Sequence, residues 1–290
     1  MPPLNEYGAL TAVALKHPRE AFRNEDAIAA QWRELNFSAP PHFSRALREY
    51  ERFVELLGST LADIVFLPSD EATTLDSIYA RDASVVAPGG VIACSMGKPQ
   101  RAGEPMAQQR ELGRRGWPMV DAIVSPGTLE GGDLVWLDRK TVVVGSGKRT
   151  NAEGIRQLEG LLEPCGCEVV TVQLPEVRSE HDVLHLMSFL SPVDRDLAVI
   201  YPRLMPERLR RLLADRGMQF VDVPDDEYET MGANVLATAP RQCVMLDGNP
   251  ATRAALERAG ATVTVYTGVE ISLKGGGGPT CLTRPLARTA

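Results

Sequence analysis

The sequence predicts an α/β protein built of repeated strand–strand–helix–strand modules, and three observations carry that prediction. Short apolar runs alternate with stretches of helical spacing along the 290 residues, the pattern of α/β proteins. The same order of elements returns about every 50 residues, and internal repeats of that length build radial or stacked arrays. Turn signals such as Pro88-Gly89-Gly90 and Asp138-Arg139-Lys140 join the first two strands within a module. A closed ring of five modules in one domain, residues 1–290, is expected, because closure hides sheet edges. An open mixed α/β sheet is the alternative.

Taken in order, Leu10–Leu15 reads as a buried strand. A helix follows at 43–57, with Phe43, Leu47, Tyr50, Phe53, Val54 and Leu57 at helical spacing, and Gly58 ends it. The next strand is 63–68, so this first module has a poorly marked second strand. The second module reads as strands 77–86 and 90–95, helix 105–115 and strand 118–124. The third has a hairpin of 133–137 and 141–145, helix 151–162 and strand 168–174. The fourth runs through strands 182–189 and 197–201, helix 206–216 and strand 220–223. The fifth has strands 233–237 and 243–246, helix 249–259 and strand 262–266.

Composition narrows the function. The chain is 44% hydrophobic and 24% charged with a net charge of −7, which suits a globular enzyme and argues against nucleic acid as the main partner. The cysteines Cys94, Cys165, Cys167, Cys243 and Cys281 are odd in number and irregularly spaced, so a reducing compartment is expected rather than a disulfide framework. Cys165-Gly166-Cys167 is too short and isolated for a zinc site and reads as a turn. No apolar run is long enough to span a membrane. The start, Met1-Pro2-Pro3-Leu4-Asn5-Glu6, has no signal-peptide pattern, so the cytoplasm is the expected location.

The chemistry centres on Lys274-Gly275-Gly276-Gly277-Gly278-Pro279-Thr280-Cys281. Adjacent glycines are kept where backbone takes unusual dihedrals or something approaches closely, so Cys281 reads as a thiol presented by an ordered loop. It is not a phosphate loop, because Lys274 precedes the glycines. In a ring the first strand of each module lines the channel, and polar residues there are exceptions that need partners. Asp76 to Asp82, Glu130-Gly131-Gly132-Asp133, His185 and Cys281 are such exceptions. Each has a plainer reading: Asp82 as a strand-end acid paired with Arg81, the Glu130 run as a turn, His185 as a satisfied core histidine. His17 and His42 lie in loops, and His181 beside Glu180 and Asp182 reads as surface. Together, however, carboxylates hold a cation, a thiolate attacks electrophilic carbon, and an imidazole protonates a leaving amine. A planar cation with an electrophilic carbon and amine leaving groups is a guanidinium.

These motifs, in this order and spacing from about Leu10 to Leu286, resemble the guanidino-group modifying enzymes, and most closely the dimethylarginine dimethylaminohydrolases. The resemblance implies a five-bladed α/β propeller (pentein) of ββαβ modules with pseudo-fivefold symmetry. It implies a hydrolase acting on arginine or an Nω-methylated arginine, with Cys281 as nucleophile, His185 as acid and base, and Asp82 and Glu130 gripping the guanidinium. Asp76 then takes the substrate α-amino group together with the Gly275 carbonyl, Arg101 and Arg149 take the α-carboxylate, and Ser188 contacts substrate. No metal or organic cofactor is required. The implied partner is a small guanidino compound, and a homodimer is compatible with the resemblance.

Three residues depart from that branch. Arg81 stands where it usually has Glu, as in arginine deiminases and amidinotransferases. Met187 stands where deiminases carry a second guanidinium-clamping Asp, which favours a bulkier, substituted guanidinium. Thr280-Cys281-Leu282 stands where the branch often has Cys-Cys-Ser. An arginine deiminase, an amidinotransferase and a non-catalytic binder of arginine-like ligands remain the alternatives.

Overall fold

The computed structural model describes residues 4–58, 61, 63–176 and 184–289. Its strands form five three-stranded sheets. The chain begins with β1 (Leu10–Leu15), the short helices α1 (Pro18–Ala21) and α2 (Glu25–Gln31), then α3 (Phe43–Leu57) and β2 (Asp63–Phe66). The apolar residues Ala46, Tyr50, Phe53 and Leu57 face α3 inward, and Gly58 caps it as expected.

The second module is β3 (Ser84–Ala87), β4 (Gly90–Ala93), α4 (Glu104–Arg114) and β5 (Met119–Ala122). The third is β6 (Leu134–Trp136), β7 (Thr141–Ser146), α5 (Ala152–Leu162) and β8 (Glu168–Gln173). The fourth is β9 (Leu190–Asp194), β10 (Leu197–Ile200), α6 (Glu207–Asp215) and β11 (Gln219–Asp222). After the short α7 (Asp225–Tyr228), the fifth is β12 (Leu236–Ala239), β13 (Gln242–Leu246), α8 (Pro250–Arg258) and β14 (Thr262–Tyr266). β15 (Thr283–Arg288) ends the fold.

In four of the sheets the middle strand pairs antiparallel with its hairpin neighbour and parallel with the strand that follows the helix, because a parallel return needs a crossover. Middle strands are therefore covered on both faces and are almost wholly apolar, as in Leu197–Ile200. The start of α5 is capped locally, the Asn151 side chain accepting from Gly154 N–H, and that of α8 from a distance, the Glu227 carboxylate accepting from the N–H groups of Ala251 and Thr252.

Three sequence expectations change. The first module lacks its hairpin strand, not a later one, and β15 supplies it by pairing antiparallel with β1 from the far end of the chain. Residues 75–78 form a 3₁₀ turn, and the second-module strand starts only at Ser84. The Ser77 hydroxyl donates to the Thr74 carbonyl and closes that turn. The strand expected over 182–189 lies instead at Leu190–Asp194, behind a 3₁₀ turn at 186–188 in which the Ser188 hydroxyl accepts the His185 N–H. Asp182 and His181 lie outside the described residues.

The strands β9 and β12, β12 and β1, and β15 and β3 pack beside one another. Where the second module meets the first module's sheet, Arg81 is buried and pairs with Glu6 at 3.2 Å, not with Asp82. Among the described residues no helix is long and apolar enough to cross a membrane.

Candidate active site

The short segments that lead into the hairpin strands carry the polar residues. Asp82 enters β3, Glu130 and Asp133 enter β6, His185 enters β9, Asn234 enters β12 and Cys281 enters β15. Polar atoms of Asp82, Glu130 and His185 all lie within 4.8 Å of one another, and the three residues are buried.

Glu130 is the most constrained of them. Its Oε2 lies 2.7 Å from His185 Nε2, and its Oε1 accepts from Gly97 N, Lys98 N and Arg149 Nη1 at 2.9, 3.2 and 3.3 Å. Burial pushes the Glu130 carboxyl up, but the His185 hydrogen bond and charge, with the Arg101 and Arg149 guanidiniums, outweigh it and hold it low. Burial lowers His185, but Asp82, Asp133 and Glu130 outweigh that and raise it to about 9. Both directions favour the carboxylate–imidazolium form of the pair.

The two glycines of the Glu130–Asp133 run make this approach possible. A Cβ on Gly132 would lie 2.8 Å from both Asp82 Oδ1 and His185 Nδ1. A Cβ on Gly131 would lie 2.2 Å from the Arg81 carbonyl. Gly132 N–H also donates to Asp82 Oδ1 at 3.1 Å. Asp133 ties the walls of the cluster together, accepting from Thr150 Oγ1 at 2.6 Å and from Leu186 N at 3.0 Å.

Cys281 sits at the edge of this group. The Asn234 Nδ2 lies 3.6 Å from its Sγ. Burial of the sulfur, then the Asp82 carboxylate, push the thiol up, more than the Thr280, Gly278 and Asn234 contacts lower it. Both effects disfavour a thiolate. The glycines ahead of Cys281 serve close approach. Cβ atoms on Gly275 and Gly277 would meet the Tyr79 ring system at 2.0 and 2.3 Å, and one on Gly278 would lie 2.4 Å from Asn234 Oδ1. The segment before α3 docks on this loop, with Ser38 N donating to the Lys274 carbonyl at 2.8 Å.

The expected substrate contacts are placed as follows. Asp76 Oδ2 already holds Lys98 Nζ at 2.5 Å. Arg101 is buried, with its Nη1 on Asp82 Oδ2 at 2.6 Å and its Nε and Nη2 on the Glu104 carboxylate at 2.8 Å each. A substrate carboxylate would have to displace one of those partners. Arg149 lies against Glu130, Ser188 braces the His185 backbone, and Met187 is packed in an apolar cluster with Leu186 and Phe189. Asp82, Glu130 and His185 also form a donor set of the kind that holds a divalent cation. The Arg101 and Arg149 guanidiniums on two of its carboxylates bring positive charge to that place and oppose one.

Lys98, Glu104 and Asn234 escaped the sequence reading. An acid or an imidazole stands out before an apolar strand more sharply than a neutral amide does. Asn234, an amide in Ala233-Asn234-Val235-Leu236, was the corresponding signal in the fifth module.

The family model for N,N dimethylarginine dimethylhydrolase, eukaryotic, matches residues 18–288. Uncharacterized protein YkgA of Bacillus subtilis is 29% identical over 283 residues, 98% of this chain and 94% of that protein. The N(G),N(G)-dimethylarginine dimethylaminohydrolase of Streptomyces coelicolor is 31% identical over 172 residues, 56% of this chain and 63% of that protein. In structure, a dimethylarginine dimethylaminohydrolase of Pseudomonas aeruginosa, a cysteine-to-serine mutant complexed with citrulline, superposes with a TM-score of 0.77 at 22% identity, covering 97% of this chain and 99% of that one.

Proposed function

The chain belongs to the N,N dimethylarginine dimethylhydrolase family, and on that premise we propose that it hydrolyses a guanidinium C–N bond of arginine or an Nω-methylated arginine through a covalent adduct on Cys281. The observation that carries this reading is the buried Glu130–His185 pair beside Asp82, with polar atoms within 4.8 Å, which supplies a cation clamp and a charged proton donor at one place. The ring reading goes with it: five modules close as an α/β propeller whose first strands line the channel. It is supported by the pairing of β15 with β1.

In the mechanism, Asp82 and Glu130 hold the guanidinium nitrogens over the sulfur. The arriving cation offsets the Asp82 charge and favours loss of the thiol proton to solvent. The sulfur attacks the central carbon and forms a tetrahedral adduct. His185 donates its proton to the departing nitrogen, the C–N bond breaks and an S-alkylthiouronium remains. The neutral imidazole then takes a proton from water as the hydroxide adds to the same carbon. The C–S bond breaks, releasing a ureido product and restoring thiolate and imidazolium, and the remaining hydroxyl proton passes through solvent to the released amine. A donor of this kind contributes about 10²–10⁴-fold to rate.

Incubation with arginine and with mono- and dimethylarginine, followed by citrulline and amine assays, tests the proposal. Citrulline with dimethylamine is the expected result. Citrulline with ammonia alone assigns a deiminase, ornithine formed only with an added acceptor amine assigns an amidinotransferase, and binding without turnover assigns a binder.

A further inference from the structure

The Asn234 carboxamide stands between Thr280 and Cys281, and its orientation is decided by chemistry. Oδ1 accepts from Thr280 N–H at 3.0 Å and from Thr280 Oγ1 at 2.9 Å. A backbone N–H can only donate, so the oxygen must face Thr280 and the NH₂ must face the sulfur 3.6 Å away. The single proton of the Thr280 hydroxyl goes to the nearer Asn234 oxygen, because Sγ is 3.9 Å off. The backbone behind Asn234 is held as well: the Ser191 hydroxyl donates to the Ala233 carbonyl at 2.8 Å and accepts from Val235 N at 3.2 Å. Of the titratable groups facing the sulfur, Asp82 opposes a thiolate and burial keeps the phenols of Tyr79 and Tyr266 neutral, while His185 stands in one cluster with Asp82.

We infer that Asn234 positions the Cys281 thiol and donates from Nδ2 a hydrogen bond that strengthens when the sulfur ionises. The inference rests on Cys281 being the nucleophile and adds a residue that this reading does not require. It completes the pattern in which the lead-in to each hairpin strand brings one polar side chain to the site. A donor to an ionised group is stronger than one to a neutral group, so this contact opposes the Asp82 charge before substrate arrives.

The test is the pH dependence of Cys281 alkylation by iodoacetamide, read by peptide mass so that Cys94, Cys165, Cys167 and Cys243 are scored apart. With Asn234→Ala the rate at neutral pH falls about tenfold and the midpoint moves up by about one pH unit. Asn234→Asp keeps the oxygen that Thr280 uses, replaces the donor by a charged acceptor, and lowers the rate further. A folded Asn234→Asp protein whose profile superposes on that of the unsubstituted protein overturns the inference, since a purely structural asparagine predicts that result. Alkylation needs no turnover. If Cys281→Ser retains activity, the nucleophile reading fails while the Asn234 effect on the thiol is still measured.

Discussion

His185 Nε2 stands 2.7 Å from Glu130 Oε2 in a solvent-excluded contact, with Glu130 0% and His185 7% exposed. A buried ion pair is costly to desolvate unless further hydrogen bonds satisfy its remaining lone pairs. Here the other Glu130 oxygen meets Gly97 N–H, Lys98 N–H and the Arg149 guanidinium. That saturation favours an ionised Glu130 and, through it, a charged His185.

Glu130→Gln keeps the shape and removes the charge. The His185 proton, held to about 9 by Asp82, Asp133 and Glu130, then leaves at lower pH. We expect kcat to fall on the order of 100-fold or more and the alkaline limb of the rate profile to move to lower pH. An unmoved alkaline limb removes Glu130 as the group that holds the proton.

The same pair sets a stability–pH relation. His185 is raised in the folded state, so its stabilisation is complete below the unfolded value of about 6.5 and is lost as pH rises. The loss continues through the folded value of about 9. The denaturation midpoint is expected to drop across that window, and to drop less in His185→Gln. Equal drops in both proteins exclude His185 as the source.

Cys281→Ser leaves the clamp intact and replaces sulfur with a much weaker nucleophile. Turnover should be lost while calorimetry still detects binding of the guanidino ligand. Retained turnover removes Cys281 as the nucleophile.

Gly132→Ala places a methyl 2.8 Å from both Asp82 Oδ1 and His185 Nδ1. The cluster must spread by several tenths of an ångström. Because catalysis depends on sub-ångström placement, about 100-fold loss of kcat is expected with a smaller change in melting temperature. Gly113→Ala, where nothing lies within 4 Å of the added Cβ, is the control and should be active.

Met187→Asp separates two effects. Met187 is 3% exposed among apolar side chains, so a carboxylate there destabilises by about 1–3 kcal/mol or more. In the folded fraction the ratio of kcat/KM for arginine to that for dimethylarginine is expected to rise. An unchanged ratio excludes Met187 as a determinant of substrate bulk.

The repeat was legible because each module must bury the same kind of middle strand, and runs such as Thr141-Val142-Val143-Val144 and Leu197-Ala198-Val199-Ile200 declare it. Helix limits at Phe43, Leu57 and Asn151 were legible through periodicity and caps. The polar exceptions Asp82, Glu130, His185 and Cys281 were legible because an acid, an imidazole or a thiol beside a buried strand conflicts with its surroundings. The strand expectation fails at 77–78 and at 186–188, where side-chain hydrogen bonds from Ser77 and to Ser188 override short apolar runs.

The residue types of the site, their order and the repeat were therefore determined by the sequence alone. Which partner each charge takes was decided only by tertiary structure. Arg81 pairs with Glu6 from the N-terminal segment, and Arg101 pairs with Asp82 and Glu104. Asn234 reaches Cys281 from another module, and β15 completes the sheet of β1. All of these except the Arg101 contacts join positions far apart in the chain. Local propensity and periodicity act over a turn or a strand, whereas hydrogen bonds and ion pairs are chosen by distances that exist only once the modules have packed.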